Sequence, residues 1–139
     1  MSEAEKGTAV ASAGPARRTG RPAVLVLLGL AVAVQLVVLY SPDGGGPLLF
    51  PQSDKVVHVT VFLVPVALAV VAGFRRWLVV AVFAAQAVLS EVVQAVFLPH
   101  RSGDVLDAAA DLTGVALGVL VGTLVLRSLQ SRAAGGPRA

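Results

Sequence analysis

Residues 22–40 run for 19 positions without a charged side chain. A run of that length matches the roughly 20 residues an α-helix needs to cross a bilayer. Three more apolar stretches follow, at about residues 54–74, 77–98 and 105–126. They are separated by SPDGGGP (41–47), GFRRW (73–77) and a segment beginning at Pro99. Hydrophobic residues make up 56% of the 139 and charged residues 14%, and a soluble domain this small has too little interior to hide so much apolar surface. The pattern predicts an all-α, integral membrane four-helix bundle at residues 22–127, with Pro22 in a first helical turn and Pro65 kinking the second helix.

The flanks differ. Residues 1–21 and 128–139 are small and polar, and both read as disordered cytoplasmic tails. The Arg17–Arg18 pair is compatible with an export signal. The apolar run behind it, however, exceeds a usual signal core and ends without a small-x-small cleavage site, which favours an uncleaved helix. Four crossings put both termini on one side. That side, with the 75–76 break, carries nine of the 11 bases and two of the eight acids, while the other carries Lys55 and Arg101 against six acids. The excess of arginine on cytoplasmic segments predicts an N-in/C-in topology in a bacterial plasma membrane.

The net charge of +3 does not indicate nucleic acid, because aromatics are only 5% and are not interleaved with the bases. The absence of cysteine removes disulfide and thiol chemistry. No HExxH, Walker or paired-Cys spacing is present, so no metal and no cofactor is expected, a metal held by His58 and carboxylates being the lesser alternative.

The acids are concentrated rather than spread. Within residues 91–114 lie Glu91, Arg101, Asp104, Asp107 and Asp111, with His100 and Ser102 beside them. Asp54, Lys55 and His58 open the second helix, and Glu91 and Gln94 close the third. At 1.5 Å per residue, Glu91 and Asp111 lie roughly 10 Å below the outer surface. On the fourth helix Asp104, Asp107, Asp111, Gly114, Gly118 and Gly122 fall within about 80° of arc. The glycines form the small-residue pattern that lets helices approach closely, so this seam and its aspartates face protein. An Asp at a helix centre costs about 2.5–3.5 kcal/mol, against about 0.3–0.6 gained per strongly apolar side chain. The fourth helix therefore depends on neighbours that neutralise or hydrate its carboxylates, and Lys55 and Arg101 are the available cations. Four or more carboxylates against two cations predicts a protonated acid or a wet site.

The stretches DKVVH (54–58), EVVQ (91–94) and LPHRSGDVLDAAADLTGVALG (98–118) resemble the VanZ-like family of bacterial membrane proteins. The family pattern is Asp-Lys-x-x-His at a helix start, Glu-x-x-Gln before a loop, then Pro-x-Arg leading into Asp-x-x-x-Asn-x-x-Gly. Asp54, Lys55, His58, Glu91, Gln94, Pro99, Arg101, Asp107, Gly114 and Gly118 match it. Asp111 stands where Asn is usual, and His100 where Gly is common. The resemblance implies a role at the cell envelope, linked to resistance to teicoplanin-type glycopeptides.

Simpler roles stand beside these. Asp54 and Asp104 suit helix caps, Glu91 and Arg101 suit a structural pair, and His100 and Ser102 suit a loop surface. The functional expectation is a polar pocket binding an amphiphilic or lipid-linked molecule. Lys55 and Arg101 would hold an anionic group, with Asp54, Gln94, Asp104 and Asp111 lining the pocket. Glu91, His58 and Asp107 would handle protons or a cationic group. The alternative is an acid–base hydrolase or transferase acting on a lipid headgroup, with Glu91 or His58 as base. A proton-coupled carrier would need polar residues continuing through the inner halves of the helices, where only Gln35 and Gln86 are candidates.

Overall fold

The computed structural model describes residues 20–41, 52–98 and 103–134. Within them the chain is all-α, with α1 at Arg21–Tyr40, α2 at Ser53–Val71, α3 at Arg76–Phe97 and α4 at Val105–Ala134. All four helices are long and apolar enough to cross a membrane. Side-chain bonds fix their directions. The end of α1, the start of α2, the end of α3 and the start of α4 meet where Gln94 donates to the Leu39 carbonyl and Lys55 reaches Asp104 and Asp107. The helices therefore alternate up and down, and Arg21, Arg75, Arg76, Arg127 and Arg132 gather at the opposite end.

Two boundaries differ from the sequence expectation. The second helix stops at Val71 rather than near residue 74, because Gly73 takes φ +89°. The Gly73 amide then donates to the Val70 carbonyl and the Phe74 amide to the Ala69 carbonyl, closing a Schellman motif. α4 continues to Ala134, about two turns beyond its apolar run, where a tail was expected to begin at residue 128. Residues 127–134 contain no Gly or Pro and are mostly good helix formers. At 30 residues, α4 is about 45 Å long against a hydrocarbon core of about 30 Å, so its last turns carry Arg127 and Arg132 past the apolar span.

α2 is the hub. Its Phe62, Val66, Ala69 and Val70 form the core with Leu39 of α1, Val79, Phe83 and Ala87 of α3, and Val115 of α4. The rings of Phe62 and Phe83 meet edge to face at 6.5 Å. The helix surfaces that face away from this core carry Leu, Val and Phe, including Val37, Leu89, Val96, Phe97 and Leu120. Thr60, Thr113 and Thr123 satisfy their hydroxyls on carbonyls four residues back in their own helices, so they need no water. Such a surface fits a lipid bilayer, which requires backbone and side-chain polar groups to be satisfied internally.

The glycine seam faces α2, as its spacing predicts. Gly114, Gly118 and Gly122 are buried. A Cβ at Gly118 would lie 2.7 Å from the Leu63 carbonyl oxygen and from Val66 Cβ, and one at Gly122 would lie 2.8 Å from the Ala67 carbonyl oxygen. At Gly114 it would collide with the Val59 carbonyl oxygen and come within 2.9 Å of Phe62 Cβ. Gly114→Ala and Gly118→Ala should each destabilise the protein by about 1–3 kcal/mol, the usual cost of overpacking. Gly29→Ala, with nothing within 4 Å of the added carbon, should not. Thermal unfolding in detergent measures both, and three equal melting temperatures would contradict this packing.

Candidate functional site

The site is built in two layers where α2 starts, α3 ends and α4 starts. The shallow layer centres on Lys55. Gln52 adopts a left-handed conformation at φ 66°, and α2 begins at the next residue, which sets Asp54 and Lys55 in its first turn. The Lys55 ammonium bonds Asp54 Oδ2 at 3.2 Å, Asp104 Oδ2 at 3.1 Å and Asp107 Oδ1. An ammonium has three hydrogens, so three carboxylates saturate it. Asp54 is therefore a partner of Lys55, and the residue at the helix cap is Gln52, which makes no side-chain capping bond.

Asp104 joins three elements. Its Oδ1 accepts from the Leu106 amide at 2.9 Å, and its carbonyl accepts from the Asp107 and Ala108 amides, which makes it the cap of α4. Its own amide donates to Glu91 Oε2 at 2.9 Å, tying α4 to α3. Gly103 permits that approach, because a Cβ there would lie 2.6 Å from the Glu91 carbonyl oxygen.

The deep layer is buried. His58 Nδ1 lies 2.9 Å from Asp111 Oδ1, and His58 Nε2 lies 4.0 Å from Asp107 Oδ2. Asp111 is completely buried, and His58 and Glu91 are more than nine-tenths so. Glu91 Oε1 and Asp111 Oδ2 have no hydrogen-bond partner among the described residues. A ring nitrogen of His58 and one carboxylate oxygen each of Glu91 and Asp111 lie within 4.8 Å of one another, a spacing from which a metal ion can be held. The sequence lacks the familiar ligand motifs and so favours no metal, although His58 beside carboxylates is the one combination in it that allows one.

Seven of the nine residues expected at the site converge here: Asp54, Lys55, His58, Glu91, Asp104, Asp107 and Asp111. Gln94 lies at the same end, but its amide donates to the Leu39 carbonyl at 3.0 Å and so anchors α1. Arg101 falls outside the described residues, as do His100 and Ser102. Glu91 takes the Asp104 backbone amide and not Lys55, and its expected pairing with Arg101 falls outside the described residues. Two buried groups add to the picture. Ser90 bonds the Ala87 carbonyl of its own helix. Gln35, fully buried, has neither amide atom hydrogen-bonded among the described residues. Gln35 sits one turn before Leu39, hence in the half of α1 nearest the site rather than in the inner half assigned to it above. Its lone polar side chain within an uncharged run was the available signal.

The described residues of the site thus hold five acids against one lysine and one histidine. No family model, curated protein or solved structure matches the chain.

The Leu106 amide, and after it the Lys55 ammonium, hold the Asp104 carboxyl below its ordinary value. A carboxyl with a depressed folded-state value adds stability that is complete above its unfolded-state value and is lost as pH falls through the folded one. Asp104→Ala should therefore lower the melting temperature in detergent near neutral pH. The gap from wild type should narrow as pH falls below about 4, the ordinary carboxyl value. A gap that stays constant across that range would contradict the Lys55 pairing.

Proposed function

We propose that the protein is a VanZ-like multi-pass protein of the bacterial plasma membrane, with both termini in the cytoplasm. Its polar chamber, near the extracytoplasmic face, binds an amphiphilic or lipid-linked envelope molecule. One observation carries the reading. Two helices of an otherwise apolar bundle, α3 and α4, each bury a carboxylate at one end, Glu91 and Asp111, and each of these leaves an oxygen unpartnered among the described residues. Burying such groups is costly, and unpaired ionisable groups in a membrane-spanning bundle mark ligand or ion sites more often than structural ones. Supporting it, the chamber lies at the end away from the described arginines, where positive-inside places the outer face.

The charge balance refines the ligand. Lys55 is saturated by carboxylates, so Arg101 is the remaining cation for an anionic headgroup. The surplus of carboxylate favours a headgroup that also presents hydrogen-bond donors or positive charge. Binding glycopeptides, or the lipid-borne precursors they target, at this face is how such a protein would lower glycopeptide access.

A second reading rests on a different observation. His58 holds Asp111 with Nδ1 and turns Nε2 toward Asp107, the arrangement in which a carboxylate orients an imidazole base. An acid–base hydrolase or transferase acting on a lipid headgroup would use it. Turnover of a lipid extract by the wild type, lost in Glu91→Gln, distinguishes this reading from binding alone.

Expression in a susceptible bacterium should raise the teicoplanin concentration needed to stop growth, and Glu91→Gln or Asp107→Asn should abolish that gain at equal membrane abundance. In intact cells an impermeant thiol reagent should label Ser102→Cys and spare Arg75→Cys. Unchanged susceptibility would remove the resistance role, and the reverse labelling would remove the topology.

A further inference from the structure

Glu91 and Asp111 share an unusual economy. Each carboxylate uses one oxygen to hold the fold, Glu91 Oε2 on the Asp104 amide and Asp111 Oδ1 on the His58 ring. The other oxygen of each is buried and has no partner among the described residues. Both residues are more than nine-tenths buried, so bulk water does not explain the arrangement. A buried polar atom without a partner costs about 1–3 kcal/mol, and more if charged. Two of them beside one imidazole ask for a shared counter-ion.

From this geometry we infer that His58, Glu91 and Asp111 form a binding site for one divalent transition-metal ion of the zinc type.

Three features fit that class. The first is reach: donor atoms on one zinc ion, at bonds of about 2.0–2.2 Å, can be at most ~4.4 Å apart. The present spread, within 4.8 Å, closes by side-chain shifts of a few tenths of an ångström. The second is donor type. One imidazole nitrogen and two carboxylate oxygens suit zinc or manganese, whereas calcium and magnesium favour all-oxygen shells. The third is support. The Asp104 amide fixes Glu91, and the nearby Asp107 carboxylate, 4.0 Å from His58 Nε2, adds negative field. Metal ligands are characteristically oriented by such outer partners. Three protein ligands leave the fourth position of a tetrahedral ion for a water. The inference goes beyond the envelope ligand proposed above and stands without it.

The test uses the full-length protein purified in detergent, stripped with a chelator and titrated with Zn2+ alone by calorimetry. One Zn2+ per chain is expected, with a rise in melting temperature. Glu91→Gln and Asp111→Asn each keep shape and a hydrogen-bonding group. Each should weaken binding by at least about tenfold, the scale that even outer partners of metal ligands command. Thr60→Val alters an exposed residue of α2 that bonds only its own helix, outside the site, and should leave affinity unchanged. Excess Mg2+ should not displace the ion. The absence of stoichiometric binding to the folded wild type would overturn the site. So would binding that survives both triad substitutions, or that Thr60→Val weakens equally, because either would mean capture unrelated to the triad. If Asp111→Asn fails to fold, Glu91→Gln decides.

Discussion

The close approach of α4 to α2 is the contact on which everything else rests. Gly114, Gly118 and Gly122 remove side chains from the seam, and the carbonyls of Val59, Leu63 and Ala67 fill the space. Two helices sharing a glycine seam hold a fixed register and distance. In that register the aspartates of α4, one and two turns above Gly114, stand over Lys55 and His58 of α2. Asp107 meets the lysine and Asp111 the histidine. Packing that looks purely structural thus determines which charges can meet.

The two layers resolve the burial of charge in opposite ways. In the shallow layer each hydrogen of the Lys55 ammonium finds a carboxylate, and Asp104 also caps a helix, so those groups are committed to holding the bundle together. In the deep layer the carboxylates are only half satisfied. A bundle selected for stability alone would do better with apolar residues of similar volume at Glu91 and Asp111. The retained polarity is what separates a site from a clasp. It lies in the deep layer, at His58, Glu91 and Asp111, about one turn along α2 from Lys55.

Much of this was legible in the sequence, for identifiable reasons. Apolar run length gave four helices, and the spacing of 104, 107, 111, 114, 118 and 122 gave the buried seam, because helical periodicity needs no tertiary information. The convergence of His58, Glu91 and Asp107 followed from alternating helix direction. Pairings were not legible. That three carboxylates saturate Lys55 depends on side-chain reach between helices. That Gln94 serves α1 depends on how the peripheral helix docks. Gln35 was visible as an oddity but assigned to the wrong half of α1, although counting along Arg21–Tyr40 puts position 35 past the midpoint of the helix. The length of α4 was missed because polarity was read as loss of structure. RSLQSRAA is polar yet helix-competent, so leaving the membrane does not end the helix.

The most direct test of the account is a double-mutant cycle on His58 and Asp111, read by thermal unfolding in detergent. The two residues are 53 positions apart in the chain and touch only if α2 and α4 pack as described. The account predicts strong coupling. His58→Ala and Asp111→Ala should each be destabilising, and the double variant should fall short of their sum by about 0.5–3 kcal/mol, the range for residues in contact. Strict additivity would mean that the two side chains do not meet, and the buried polar cluster would not exist.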